Sequence, residues 1–483
     1  MSIRFFNTMT RSLQEFHPLK PGRVGLYTCG PTVYDYAHIG NFRTYVFEDL
    51  LRRHLRFRGY EVLQVMNITD VEDKIIRKTR MEGRSLSEVT APYIEAFFQD
   101  LDCLNIQRAE HYPRATEHVD GMVELIRKLL AKGLAYHSED GSIYFDISKF
   151  PEYGRLARIQ VEDLRSGARV AQDEYDKERA ADFALWKAWD EGDGEVFWDQ
   201  YPDLGKGRPG WHIECSAMSI CYLGNHFDIH TGGVDNIFPH HQNEIAQTEP
   251  CTGETFVNYW LHSEHLLVDS QKMSKKLGNF FTLRDLLDPQ ANPSGRAWDP
   301  MALRYLLLGT HYRSRLDFTF KGLQAATETR QGLLDFLRRC RMQQGNEPLD
   351  LEVVEEIEAT RAAFVAAMDE DLNTPEALAA LHALRREIHR RIDEHTDFGK
   401  ASGQAVVDLV LDLDQVLGLR LEEALEEPEL LPEEKAMIDE RQAARKARDF
   451  ARADRLRDEL EARGIRLEDT PQGVTWKIDP SRR

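Results

Sequence analysis

The chain has 483 residues, is 42% hydrophobic and 10% aromatic, and carries a formal net charge of −20. That length and apolar content suit two to four globular domains with real cores and exclude a disordered chain. The acidity excludes a uniformly basic surface, although a local basic stripe on such a protein still binds phosphates.

The opening "MSIRFFNTMTRSLQEF" lacks the apolar core and small-residue cleavage pattern of a secretory leader. "RVGLYTCG" (23–30) predicts a short buried strand ending in a turn, and "YEVLQVMNITD" (60–70) a second. Between them "FRTYVFEDLLRRHLRFRG" (42–59) has helical apolar spacing and a glycine stop, giving strand–helix–strand, the unit of a parallel sheet. "GLAYHSEDGSIYFDIS" (133–148) predicts a hairpin inside an insertion over about 125–200, and "HFDIHTGG" (226–233) and "LHSEHLLVD" (261–269) resume the strands. From about 300, five helical patterns, at 300–314, 327–341, 351–371, 375–395 and 403–418, predict a helical bundle. The acidic, proline-punctuated 421–434 reads as a linker. One basic helix over 441–464 and a β-like "TPQGVTWKI" close the chain. Residues 441–483 hold 12 Lys+Arg against 8 Asp+Glu, net +4, which leaves about −24 for the rest. No run of about 18 apolar residues predicts a membrane span.

Three stretches carry candidate chemistry. "FPHHQNEIA" (238–246) puts His240 and Glu244 four apart and His241 and Glu244 three apart, so on a helix either pair shares a face and offers half of a metal site. The six cysteines, Cys29, Cys103, Cys215, Cys221, Cys251 and Cys340, are scattered, which argues for a reducing, cytoplasmic setting and against a disulfide framework. There is no CxxC pair, and spacing does not choose among Cys29, Cys215, Cys221, His212, His226, His230, His240 and His241 as further ligands. "TVYDYAHIGNF" follows the first strand and opens a helix, where backbone N–H groups favour phosphate; Gly40 permits close approach, and His38 and Asn41 supply donors. "DSQKMSKKLGNFF" (269–281) sets three lysines and a serine in five positions, a loop suited to charge on a transferring phosphate. Each stretch alone also fits an ordinary turn or a solvated loop.

Taken in order, "HIGN" and "KMSKK" resemble the HIGH and KMSKS motifs of class I aminoacyl-tRNA synthetases. "YTCGPTVYDYAHIGN", "NITDVEDKIIRK", "GWHIECSAMS", "GNHFDIHTGGVDNIFPHHQNEIAQ", "VDSQKMSKKLGNFFTLRDLL", "MDEDLNTPEALAAL" and "ARADRLRDELEARGIRLEDTPQGVTWK" resemble the cysteinyl-tRNA synthetase family over nearly the whole chain. Asn41 and Lys276 depart from the motifs' second histidine and last serine, and both keep hydrogen-bond donors.

The resemblance implies an α/β protein: a Rossmann-like parallel-sheet catalytic domain (1–124 and 201–260) split by a connective insertion (125–200). A KMSKS-loop and stem-contact region (261–320), a helical bundle (321–420), a linker (421–434) and a small C-terminal α+β anticodon-binding domain (435–483) follow. It implies one Zn2+ held by Cys29, Cys215, His240 and Glu244, ATP with Mg2+, and L-cysteine activated as an adenylate and passed to tRNA-Cys by a cytoplasmic monomer with no membrane contact. ATP would be held by His38, Gly40, Asn41, Gly232, Gly233, Asp235 and Lys275, with His38, Asn41, Lys272 and Lys275 acting on the phosphates. Thr69 and Trp211 would line the cysteine pocket with Cys29. Arg445, Arg448, Arg452 and Arg455 are candidates for RNA phosphate contacts, and Trp476 for base stacking or packing. Zinc binds thiolate strongly and hydroxyl poorly, so coordination would distinguish cysteine from serine where shape alone discriminates weakly. The rival within the resemblance is an ATP-dependent ligase joining cysteine to an amino sugar, which would have no use for an anticodon-reading tail.

Overall fold

A computed structural model of the chain describes residues 2–159, 182–394, 398–426, 431–447, 449–470 and 473–478. The strand–helix–strand unit is β1 (Arg23–Thr28), α1 (Ile39–Phe57) and β2 (Glu61–Met66), with β1 and β2 parallel. After the insertion, α2 (Trp211–Leu223) leads into β3 (Phe227–Gly233), then α3 (Gln242–Thr252) and β4 (Val257–Ser263). The four strands form one parallel sheet in the order β4–β3–β1–β2. Most of their residues are buried, as covering on both faces requires, and polar residues such as Asp228, His230 and His262 interrupt the apolar runs. The exits of β1, β3 and β4 lie side by side, at the edge where open parallel sheets bind ligands.

Between β2 and α2, strands Ala135–His137, Ile143–Phe145, Phe183–Ala188 and Gly207–Pro209 make an antiparallel sheet that begins with the expected hairpin. "LHSEHLLVD" is not one strand: β4 stops at Ser263 and β5 (Leu266–Val268) joins a separate sheet with β6 (Gln271–Lys272) and β7 (Leu316–Phe318). Helices α4 (Pro300–Leu308), α5 (Phe320–Arg341), α6 (Leu351–Asp369), α7 (Thr374–Asp393) and α8 (Lys400–Leu417) form the helical part. Its core is continuous with α1 through Leu51, Leu55, Leu413 and Leu417.

The single basic helix expected over 441–464 is two. α9 (Pro432–Lys446) ends, and Asp449 caps α10 (Phe450–Ala462) by accepting from Arg452 N at 3.1 Å. An Asp cap satisfies the orphan donors of a new helix start and so breaks the continuous pattern. Strands β8 (Ile465–Thr470) and β9 (Gly473–Ile478) pair antiparallel over a small core of Ile438, Leu460, Ile465 and Leu467. Trp476 packs against that core. Arg452 pairs with Glu440, Arg455 Nε donates to Ala451 O at 3.2 Å, and Arg448 lies outside the described residues. No described helix is long and apolar enough to cross a membrane.

Candidate active site and metal centre

Cys29 follows β1 directly, and its N–H donates to Thr231 O in β3 at 3.3 Å. Gly30 comes next because nothing larger fits: a Cβ there would lie 1.8 Å from Asn67 O. Cys215 sits in the second turn of α2, buried. His240 precedes α3 rather than lying on it, since Phe238 has extended backbone and α3 starts at Gln242. The His240–Glu244 pair nonetheless closes, Nε2 to Oε1 at 3.2 Å. Donor atoms of Cys29, Cys215, His240 and Glu244 all lie within 4.8 Å of one another.

Glu244 is fully buried, and its Oε1 makes no well-formed hydrogen bond, with only the charge contact to His240 Nε2 at 3.2 Å. A buried carboxylate oxygen that lacks a hydrogen bond and sits beside two thiols is costly unless a cation completes it. This donor set therefore suits a thiophilic divalent metal such as zinc. Hydrogen bonding from Cys29 foremost, with the nearby His240, holds the Cys215 thiol down at about 6, against burial. For His240, burial acts downward, but Cys215 and Glu244 outweigh it and the ring is raised. Each shift runs toward the charged form of its group and reports how closely Cys215, His240 and Glu244 are set together.

Outer partners orient the donors, and spacing did not reveal them. His241 Nε2 is 3.2 Å from Cys29 Sγ, its Nδ1 is 2.8 Å from His262 Nε2, and His262 Nδ1 is 2.7 Å from Thr8 Oγ1. His230 Nε2 reaches Glu244 Oε2 at 3.0 Å, and His212 Nδ1 reaches His240 Nδ1 at 2.9 Å. Hydrogen bonds of this kind fix ligand orientation. Cys29, His230, His241 and Glu244 form a second compact donor set sharing two members with the first, while Cys221 is exposed and outside both. Trp211 stacks on His240 with ring centroids 4.4 Å apart. Thr69 is buried, and its backbone brackets the segment after Cys29, donating to Pro31 O at 3.0 Å and accepting from Val33 N at 3.1 Å. Its hydroxyl accepts from Asn67 Nδ2 at 3.1 Å and meets the buried Glu214 carboxyl.

On the other side of β1, His38 caps α1. Its Nδ1 accepts from Asn41 N at 3.2 Å, and Asn41 Oδ1 accepts from His38 N at 3.0 Å. The position 41 departure is thereby explained: asparagine completes a reciprocal helix cap. Burial pushes His38 down to about 4 despite Asp235, so the ring is neutral near pH 7. With Nδ1 accepting, the proton sits on Nε2. A Cβ on Gly40 would lie 2.7 Å from Met273 Cε and 3.0 Å from the His38 ring, so glycine lets the lysine loop close over the cap.

That loop is a compact turn. Ser274 Oγ accepts from Lys276 N at 3.2 Å, and Asn279 Oδ1 accepts from Ser274 N at 2.8 Å. Lys275 pairs with Asp35, which foremost raises its pKa, and lies 5.1 Å over Phe280, the ring that packs edge-on against His38. Lys272 is exposed on β6. Gly232 and Gly233 end β3, Gly233 N donates to Asn236 Oδ1 at 3.0 Å, and Asp235 is exposed in the next turn.

The chain matches a family model described as tRNA synthetases class I (C) catalytic domain over residues 15–328. It also matches a DALR domain over 363–422 and a cysteinyl-tRNA ligase anticodon binding domain over 427–476. It is 48% identical to a cysteine–tRNA ligase of Chlamydia trachomatis serovar A over 99% of this chain and 100% of the relative. It is 46% identical to one of Brachyspira hyodysenteriae over 98% of this chain and 99% of the relative. A solved Mycobacterium tuberculosis methionyl-tRNA synthetase shares the fold, with a TM-score of 0.62 at 14% identity over 83% of this chain and 93% of that one. End-to-end identity of this order, over a parallel sheet that gathers its polar side chains at one edge, leaves one conclusion: the chain belongs to the cysteinyl-tRNA synthetase family of class I aminoacyl-tRNA synthetases.

Proposed function

We propose that the chain activates L-cysteine with ATP as cysteinyl adenylate and passes the cysteinyl group to the 3′ end of tRNA-Cys. It would do so with zinc held by Cys29, Cys215, His240 and Glu244. The observation that carries this reading is the buried Glu244 oxygen, without a well-formed hydrogen bond, beside two thiols and His240. When bound, zinc supplies a thiophilic Lewis acid that takes the substrate's sulfur as thiolate and rejects a hydroxyl. Of the two overlapping donor sets, the one with two sulfurs suits zinc better, which leaves His230 and His241 to orient Glu244 and Cys29.

The remaining steps belong to the chain's own residues. Trp211, stacked on His240, and Thr69 bound the pocket that positions the amino acid. The substrate carboxylate attacks the α-phosphorus of ATP and pyrophosphate leaves; the RNA's terminal hydroxyl then attacks the acyl carbon and AMP leaves. Neutral His38 donates Nε2–H to a phosphate oxygen, and the Asn41 amide donates beside it. Lys275, released from Asp35, and Lys272 follow the charge that gathers on pyrophosphate with Mg2+. Gly232, Gly233 and Asp235 receive the adenosine, the carboxylate bonding ribose hydroxyls. The C-terminal part reads the RNA, which favours a tRNA acceptor over an amino sugar.

The test is ATP–pyrophosphate exchange with cysteine, with serine as control, followed by charging of tRNA. Cysteine should support exchange at least about 10³-fold better than serine, because the pocket reads the sulfur itself rather than one small group's shape. Failure of cysteine to support exchange would remove the reading. Truncation after about residue 425 should abolish charging and leave exchange; equal loss of both would place the tail's role elsewhere.

A further inference from the structure

The activation chemistry leaves unused an aromatic and cationic surface at its rim. Tyr34 and Tyr36 flank Asp35 on the segment entering α1, and Tyr93 projects from the helix Leu86–Cys103. Tyr36 packs edge-to-face on Tyr93 at 5.2 Å between centroids, and the Arg284 guanidinium lies 5.2 Å over the Tyr36 ring. Lys74 Nζ lies 5.2 Å over Tyr34 and Lys78 Nζ 4.2 Å over Tyr93. Lys78 also donates to Tyr34 O at 3.0 Å and to the Tyr93 hydroxyl. The lysine loop adjoins this surface through the Lys275–Asp35 pair.

Packing accounts for part of it. Tyr93 leans on the small core of Val33, Ile68 and Ile94, but Tyr36 lies outside that core and is 42% exposed. The facing acids are already engaged: Asp35 with Lys275, Glu82 3.9 Å from Lys78, and Asp100 3.4 Å from Arg284. Among the described residues Lys74 makes no ion pair, and the acid beside it, Glu72, is held by the Lys74 backbone N–H at 2.8 Å, so the ammonium group keeps its own contacts free for a phosphate. An exposed ring flanked by cations is how proteins hold unpaired bases, stacking the base and neutralising its backbone.

We propose that Tyr36, with Lys74, Lys78 and Arg284, is a stacking platform for the unpaired 3′ end of the RNA substrate. It delivers that end past Lys275 to the activated amino acid. This rests on the charging reading above. The adenine of ATP offers the same stacking chemistry, but the adenosine is already assigned beyond His38, at Gly232–Asp235.

The test compares wild type, Tyr36→Ala, Tyr36→Phe and Lys74→Ala in three measurements. Binding of intact tRNA is set against tRNA lacking its unpaired 3′ nucleotides, without cysteine; charging is measured at varied tRNA; and exchange is measured at varied ATP. Wild type should prefer intact tRNA by about 5- to 100-fold, one stacked base's worth. Tyr36→Ala should abolish that preference and raise the KM for tRNA by the same factor, with the KM for ATP in exchange unmoved. Tyr36→Phe should restore both. Lys74→Ala should weaken tRNA binding and lower its salt slope by about one. A Tyr36→Ala protein that keeps the preference overturns the platform, and so does one whose KM for ATP rises instead. Absence of cysteine-dependent exchange in the wild type would strike the charging reading, while the binding comparison would still decide the platform.

Discussion

Glu244→Ala is expected to lower cysteine-dependent pyrophosphate exchange by about three orders of magnitude while ATP affinity moves only a few-fold. Loss of an outer partner of a metal ligand typically costs about 10- to 100-fold, and loss of a ligand should cost more. Glu244 is fully buried, and both of its oxygens face imidazoles, His240 at 3.2 Å and His230 at 3.0 Å. Removing the carboxylate takes away the one anionic oxygen in the donor set and leaves two buried rings without their acceptor. The damage falls on the amino-acid side, because the ATP side is built from α1's cap and the lysine loop, across β1. Metal analysis should show less than about a tenth of the wild-type zinc, and the KM for cysteine should rise with the fall in exchange. Glu244→Gln separates charge from shape: it keeps the volume and one oxygen, so it should keep the packing of the site but not full metal affinity. Full zinc content and an unchanged KM for cysteine in Glu244→Ala would refute the role.

Much of this was legible because the periods are local. β1, α1, β2 and β3 announce themselves by apolar spacing with glycine stops, and the structure moves their ends by only a few residues. Spacing offered His240 and Glu244 as half of a donor set, but the choice of Cys29 and Cys215 came only through resemblance, since they meet Glu244 because β1 and β3 are neighbours, a fact of sheet order rather than spacing. The orienting roles of His212, His230 and His262 were not readable either, because a buried histidine in a helix or strand looks alike whether it packs, ligates or orients a ligand. The cap at Asn41 was readable in principle, since the side-chain amide of a residue three after the cap can return to the cap's N–H. The break between α9 and α10 was missed because the 441–464 pattern carries arginine and alanine straight through it, and only the Asp449 cap marks the restart. The charged interior of α1 was missed for a different reason. Asp49, Arg53 and His54 look like a solvated face until the helical part closes over them, and Arg52 until the segment 107–110 does.

That charged interior carries the largest expected effect on stability. Asp49→Ala should destabilise the fold by about 3–5 kcal/mol, since removing one partner of a buried pair leaves uncompensated charge. Asp49 Oδ2 accepts from Arg53 Nε at 2.7 Å and from Arg304 Nη2 at 2.5 Å, and Oδ1 accepts from Gln107 N at 2.9 Å. Arg304 is fully buried and also donates to Leu417 O at 2.7 Å and Leu104 O at 2.9 Å, while Arg53 reaches Gln415 O at 3.0 Å. One carboxylate thus fastens α1 and α4 to the end of α8, with two guanidinium groups depending on it. Burial acts to raise the Asp49 pKa, but Arg304 and then Arg53 outweigh it and hold the group below its ordinary value. A carboxyl whose folded pKa lies below its unfolded one stabilises fully above the unfolded value, about 4. That contribution is lost as the pH falls through the folded pKa. The wild type should therefore keep the contribution from pH 7 down to about 5 and lose it in acid, whereas Asp49→Ala should lack it throughout and show a shallower acid slope. Urea titrations followed by circular dichroism at pH 7 and pH 3 measure both effects. Asp49→Asn keeps the shape and some hydrogen bonds, so a loss close to that of Asp49→Ala would assign the effect to charge. Replacing Arg304 by methionine as well should recover part of the loss, because the stranded cation leaves with its partner. A drop below about 1 kcal/mol in Asp49→Ala, the range of an exposed pair, would show that the network contributes no more than a surface contact.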